Sequence, residues 1–330
     1  MLKAQSKLKS RAGKNLAGKL GKQPLLRPMK IRDLGAYLRE RFPPVNMALF
    51  GVVFLTVRAV AAAAGGVGSP PRPGGGLLAA LGAVATVSFF FRLRVFDEEK
   101  DFAQDMLTHP GRVLQTGRVT LPQLRRLAWA GAALELGWSL VSGRAALLAW
   151  LAALLYSLLM RAEFGVGRWL RGHLVLYALS HMLIMPLIIT WLYCAGSAAP
   201  VFGRAFGALL LLSLLGGFSF ELARKLHAPA AERAGVDSYS RALGYGRALA
   251  LTVCLLLASG AAQALLLRLL YARPATYAAL VLLLAAGLAL YATAARHPRE
   301  PRLRQAEKVV SLVMLTSYLA VLAELYSRGN

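Results

Sequence analysis

The feature that most constrains this chain is a series of apolar stretches about 20 residues long, rich in Leu and Ala and separated by short polar connections. A helix of that length crosses the hydrocarbon layer of a bilayer. Nine such spans fit, at about 45–64, 75–92, 124–141, 145–160, 173–194, 201–220, 245–269, 274–292 and 307–326. Of the 330 residues, 57% are hydrophobic and only 16% charged, which disfavours a soluble α/β enzyme. A large soluble helical protein would need charged faces on its outer helices, and these are missing. Spanning strands would alternate, and these runs are continuous. The expected fold is an all-α integral membrane protein with nine transmembrane helices. Pro186 lies inside the fifth span and predicts a kink there.

The placement of charge gives a topology. With the N-terminus in the cytoplasm, the inner segments are 1–42, 92–126, 161–171, 221–247 and 296–308, and they hold 32 of the 39 Lys and Arg residues. The reverse orientation would violate the positive-inside pattern at every loop. Thirteen of the 15 acids fall on the same side, leaving only Glu135 and Glu324. The formal charge of +24 therefore reflects contact with a membrane surface and implies no nucleic acid. Residues 1–42 read as a basic tail followed by an interfacial helix at 31–42, ended by Pro43-Pro44, and 43–330 as the transmembrane domain. The basic start is unlike a cleavable signal peptide, and it is lysine-rich and serine-poor, unlike a transit peptide. The expected location is a plasma membrane, the inner membrane of a bacterium. Cys194 and Cys254 lie in apolar segments without metal or redox spacing, which suits packing.

Polar chemistry concentrates at one place. Five of the 15 acids fall within nine positions, Asp97-Glu98-Glu99-Lys100-Asp101 through Asp105. If 96–107 continues the second span as a helix, Asp97, Asp101 and Asp105 share one face, with Glu98 beside them. Like charges so close repel, and a divalent cation removes that cost. Mg²⁺ suits the pattern, because it uses one or two carboxylates together with water and phosphate oxygens. A solvated acidic loop balanced by Lys100, Arg92 and Arg94 is the competing reading. Arg112 and Arg118 follow on turns at Pro110-Gly111 and Thr116-Gly117, and their planar guanidinium groups suit phosphate oxygens or anchor the chain to lipid headgroups.

Asp97-Glu98-x-x-Asp101-x-x-x-Asp105, then His109-Pro110-x-Arg112-x-Leu114-x-x-Gly117-Arg118-Val119, resembles the first signature of the UbiA superfamily of intramembrane prenyltransferases. The departures are Asp97 where the family has Asn, Glu98 for Asp and Val113 for Pro. The resemblance covers roughly residues 40–326 and implies a nine-helix bundle opening to the cytoplasm. It further implies that Glu98, Asp101 and Asp105 hold Mg²⁺ on the diphosphate of an isoprenoid donor, and that Arg112 and Arg118 bind that diphosphate. The prenyl group would pass to a lipid or aromatic acceptor within the bilayer.

The family's second acidic signature is not present in that form. Residues 221–240 offer Glu221, Arg224, Lys225, His227, Glu232 and Asp237, with a Gly235-Val236 step like the family's ending, and no register restores three acids. Arg224 and Lys225 stand in for a second metal on the same diphosphate, with Glu221 and Glu232 as partners, or the chain is UbiA-like without ordinary prenyl transfer, such as a carrier or transporter of isoprenoid lipids. Asp97 joins Glu221 and Glu232 as an orienting residue. Arg58 and Glu135, inside spans, either pair or line a cavity, unless Glu135 faces a wet interface. His181 faces either the pocket or the protein interior. No Ser–His–Asp arrangement, P-loop or dinucleotide fingerprint is found.

Overall fold

The computed structural model describes residues 29–65, 75–233 and 237–327. The basic tail expected before residue 29, Arg72, the Gly235-Val236 step and Arg328 lie outside the described residues. Every regular element among those described is helical. A short helix α1 (Ile31–Arg41) is followed by α2 (Pro44–Ala64), α3 (Gly75–Thr108), α4 (Leu121–Ser142) and α5 (Arg144–Arg161). Then come α6 (Gly167–Arg171), α7 (Leu174–Met182), α8 (Ile184–Gly196) and α9 (Arg204–Arg224). Helices α10 (Tyr239–Leu243), α11 (Tyr245–Leu269), α12 (Pro274–Arg296) and α13 (Glu300–Tyr326) complete the chain.

Among the described residues, eight helical segments are long and apolar enough to cross a membrane, with Leu174–Gly196 counted as one. The protein is an all-α integral membrane protein. The ninth expected span is the 22-residue helix α4, which is long enough to cross but carries Arg125, Arg126 and Glu135. The expected kink is seen as an interruption between α7 and α8 at Leu183. Pro186 has no N–H to donate and its ring crowds the carbonyl four residues back, at Met182, so the break falls just before the proline.

Backbone contacts divide the chain into two compact units, one spanning Met1–Phe50 and Val84–Glu135, the other Gly51–Ala83 and Leu136–Asn330. In the first unit, Tyr37 of α1 packs with Val95 and Phe102 of α3, Val113, Leu114 and Val119 of the following turn, and Leu124 and Ala128 of α4. Pro43 disfavours helical geometry at Phe42, whose φ of −144° ends α1, and Pro44 opens α2 at a position where its missing N–H costs nothing. Within the 109–120 turn, Gly117 has φ +76°, a left-handed conformation that glycine adopts without strain.

In the second unit, α9 packs along α11, α5 against α8, and α12 against α13. Its buried core gathers Phe218, Leu222, Tyr239, Leu256, Tyr291, Leu303 and Val310. The Thr56 hydroxyl donates to the Tyr318 carbonyl at 3.0 Å, tying α2 to α13. Glu324, one of the two acids left over by the topology, accepts from the Arg273 N–H and the Thr276 hydroxyl and caps the start of α12.

Candidate functional site

The long helix α3 continues past its apolar part without a break, so the acidic residues stand on a helical face. Glu98 is fully buried. Its Oε1 accepts from Arg41 Nε at 2.6 Å and lies 3.0 Å from Arg94 Nη2, while Oε2 is buried without a donor. Asp105, two turns further on, is bound by Arg112 at 2.5 Å and approached by Arg41 at 3.5 Å and by His109 Nδ1 at 3.4 Å. Asp97 pairs with Lys100 at 3.1 Å and Glu99 with Arg125 at 2.7 Å. No hydrogen bond or ion pair of the described residues reaches Asp101, which is exposed.

The turn after α3 places the arginines. Helical hydrogen bonding continues through His109, whose N–H donates to the Asp105 carbonyl, and the chain then turns so that Arg112 N–H meets the His109 carbonyl. This brings Arg112 back over Asp105, and Glu40 of α1 fixes the turn by accepting from the Val113 N–H at 3.0 Å. Arg118 goes elsewhere: its Nε and Nη2 donate to Asp33 of α1 at 3.0 and 2.8 Å.

Helix α1 thus supplies residues that spacing along the chain does not show. Arg41 reaches Glu98 across 57 positions. Tyr37 is fully buried, with its hydroxyl beside the Arg94 guanidinium. Burial, and then the Glu98 carboxylate, push its phenol well above the usual tyrosine range, so it stays protonated and able to donate. The Arg94–Glu98 pair did have a signal, the i, i+4 spacing.

Among the described residues no group of three or more His, Cys, Asp and Glu side chains is gathered to hold a metal ion. A closed protein cage is absent from this face. The open donors are Glu98 Oε2 and Asp101, one helical turn apart, which fits a cation that needs one or two carboxylates and takes its remaining oxygens from water and phosphate. Asp105 is engaged by Arg112.

The second loop, in the other unit, is organised by its own acids. Glu221 receives Arg224 at 2.6 Å and Lys225 at 2.7 Å. Glu232 accepts both Ser238 and Ser240 hydroxyls, and Ser240 in turn accepts the His227 N–H. Glu300, at the start of α13, binds the His227 ring at 2.8 Å and the Ala228 N–H at 2.9 Å, while Arg304 donates to the Arg224 and Leu226 carbonyls. Each of these acids does structural work within the loop. Tyr239 is fully buried, and burial and Glu221 raise its phenol above the ordinary range.

Three other expected polar residues are settled by their partners. Glu135 pairs with Arg92 at 2.6 Å, both fully buried, rather than with Arg58. The Ser88 hydroxyl adds a bond to Glu135 at 3.0 Å and the Phe89 ring lies 4.4 Å from the Arg92 guanidinium. Arg92 looked like a loop cation balancing the acidic cluster, but the continuous helix puts it a full turn too early for that. His181 is an interior residue, held by the Tyr177 carbonyl at 2.8 Å and stacked on the Tyr177 ring.

No family model matches the sequence, and no curated protein matches it either. Solved structures do. A digeranylgeranylglyceryl phosphate synthase aligns over 90% of this chain and 100% of its own, at 16% identity and a TM-score of 0.61. A UbiA homologue from Archaeoglobus fulgidus, bound to DMAPP and Mg²⁺, aligns over 87% and 99% at 16% identity and a TM-score of 0.53. With GPP and Mg²⁺ bound, that homologue gives a TM-score of 0.51. The chain has the UbiA fold. Within a UbiA fold at this identity, what the site does rests on the residues themselves.

Proposed function

We propose that this UbiA-fold protein transfers a prenyl or polyprenyl-linked group from an isoprenoid diphosphate to a lipid or aromatic acceptor in the bilayer, with Mg²⁺ as cofactor. The observation that carries the proposal is the carboxylate and arginine face of α3 and the turn after it, on a fold whose solved examples include a digeranylgeranylglyceryl phosphate synthase and a homologue bound to DMAPP, GPP and Mg²⁺. Glu98 Oε2 and Asp101 would hold the metal, with Asp105 adjacent; bound there, Mg²⁺ would neutralise charge on the diphosphate. Arg112, held at the mouth of the site by Asp105, turns its remaining N–H groups toward the leaving oxygens as the C1–O bond breaks. The new bond forms between C1 and the acceptor, whose proton passes to solvent, and the diphosphate departs. Arg118, fixed on Asp33, supports the same turn from the outside. Arg224 and Lys225, held by Glu221, are the cations that the second loop offers to phosphate, and Asp97 and Glu232 orient their own segments.

The second loop also favours a second reading. Its acids, Glu221 and Glu232, are engaged in ion pairs and loop hydrogen bonds, which suits a UbiA-fold carrier or transporter of isoprenoid lipids that binds diphosphate without cleaving it. The test is incubation of the purified protein with labelled geranylgeranyl and longer diphosphates, Mg²⁺ and a membrane lipid extract. Mg²⁺-dependent diphosphate release with label entering a lipid or aromatic product supports transfer. Tight donor binding by folded protein without release supports the carrier, and neither outcome is expected if the face is only a solvated acidic surface.

A further inference from the structure

Arg41 places its charge on two carboxylates of the acidic face. It is the last residue of α1, next to the non-helical Phe42, and its side chain crosses to α3. There its Nε sits 2.6 Å from Glu98 Oε1 and its Nη2 3.5 Å from Asp105 Oδ2, so one guanidinium spans a carboxylate assigned to the metal and the one adjacent to it. Glu98 is fully buried, and a buried carboxylate needs compensating charge whether or not metal is present. Beside this contact Glu98 Oε2 is buried without a hydrogen bond, and the Tyr37 hydroxyl lies next to the Arg94 guanidinium. An orphaned buried group of this kind signals a missing ligand or water. Glu98 Oε2 is an acceptor that suits a cation, and Tyr37 and Arg94 are donors that suit an anionic oxygen.

We propose that Arg41 is an exchange cation: loading the site with a divalent metal displaces its guanidinium from Glu98 and Asp105, and the freed group, with Tyr37 and Arg94, then donates to the anionic oxygens that arrive with the metal. The inference rests on the metal reading above. It follows from charge. Glu98 with Arg41 and Arg94 is already a compensated cluster, so a divalent ion added without release of Arg41 would meet a like-charged guanidinium at contact distance. Arg41 can leave because it is the last residue of its helix, whereas Arg94 is anchored within α3. With Arg41 in place, Glu98 and Asp105 are compensated by the protein's own arginine. Once the site is loaded, the same arginine becomes a positioning residue for phosphate.

The test uses Mn²⁺ alone as probe, with free Mn²⁺ read by electron paramagnetic resonance during titration of the detergent-purified chain. Arg41→Gln is expected to bind Mn²⁺ about ten-fold more tightly than the wild type, since a competing charge is gone. Arg41→Lys, which keeps the charge, stays close to the wild type. Equal or weaker binding by folded Arg41→Gln overturns the exchange. A measurement on the unaltered chain guards against a variant that fails to fold: adding Mn²⁺ should raise phenylglyoxal labelling of Arg41 relative to the buried Arg92, read by mass spectrometry. Unchanged labelling at saturating Mn²⁺ also overturns it. If the wild type binds no Mn²⁺ even with inorganic diphosphate, the metal reading itself falls and the exchange falls with it; wild-type binding without the Arg41 effects sinks the exchange alone.

Discussion

Glu135 of α4 and Arg92 of α3 form a fully buried charge pair, where neither can be left alone. With water excluded, the pair holds because each member compensates the other and Ser88 supplies a further bond. Glu135→Ala should therefore destabilise the protein by about 3–5 kcal/mol in detergent unfolding, by leaving Arg92 buried and uncompensated. The double variant Arg92→Leu/Glu135→Leu should recover most of that loss; equal damage from both would show that the pair has another role. Arg112→Ala belongs to the same scale. It removes one of the two arginines on Asp105 and should lower diphosphate release roughly 100-fold while Arg41 keeps unfolding nearly unchanged. These residues also mark where sequence reading stops. The acidic face was legible because i, i+4 spacing fixes which side chains share a helix side. The pairing of Glu98 with Arg41 and of Glu135 with Arg92 was not, because Arg41 arrives from another helix and Arg92 was counted with the loop rather than the span.

At the scale of elements, length and apolar content carried the reading. The spans expected at 245–269 and 145–160 match α11 and α5 within a residue, and 31–42 matches α1. Where the boundaries were too short, as for α3 and α13, the missing part is charged and helical, so hydropathy alone cut it off. Gly131 of α4 shows why close helix contact needs a small residue. A Cβ there would lie 1.9 Å from the Ser88 Oγ that serves Glu135. Gly131→Ala should cost about 1–3 kcal/mol by thermal unfolding, and Ser88→Ala in the same chain should restore part of it. In the second loop, Glu232→Ala removes the acceptor of two serine hydroxyls. Amide exchange across 228–241 should then quicken while that of α11 stays unchanged, and unaltered exchange would mean the loop is held mainly by Glu300 and Arg304.

For the whole molecule, the positive-inside pattern gives an orientation that can be measured. Single cysteines placed at Gln104 and Glu300, in a background without Cys194 and Cys254, should both be labelled from the cytoplasmic side, and labelling of the two from opposite sides would contradict the topology. The UbiA fold itself was legible as far as helix number and the first signature go, while the second loop diverged because basic and serine-bonded acidic residues took over positions the resemblance leads one to expect as metal ligands. The central claim is that this chain uses Mg²⁺ to part an isoprenoid from its diphosphate. The most direct measurement is diphosphate release from labelled geranylgeranyl diphosphate by the purified wild type and by Asp101→Asn, across an Mg²⁺ titration. The account predicts saturable, Mg²⁺-dependent release by the wild type and roughly 100-fold less by Asp101→Asn with folding intact. Release that ignores both Mg²⁺ and the Asp101 carboxylate, or no release by a folded wild type that binds the donor, would contradict it.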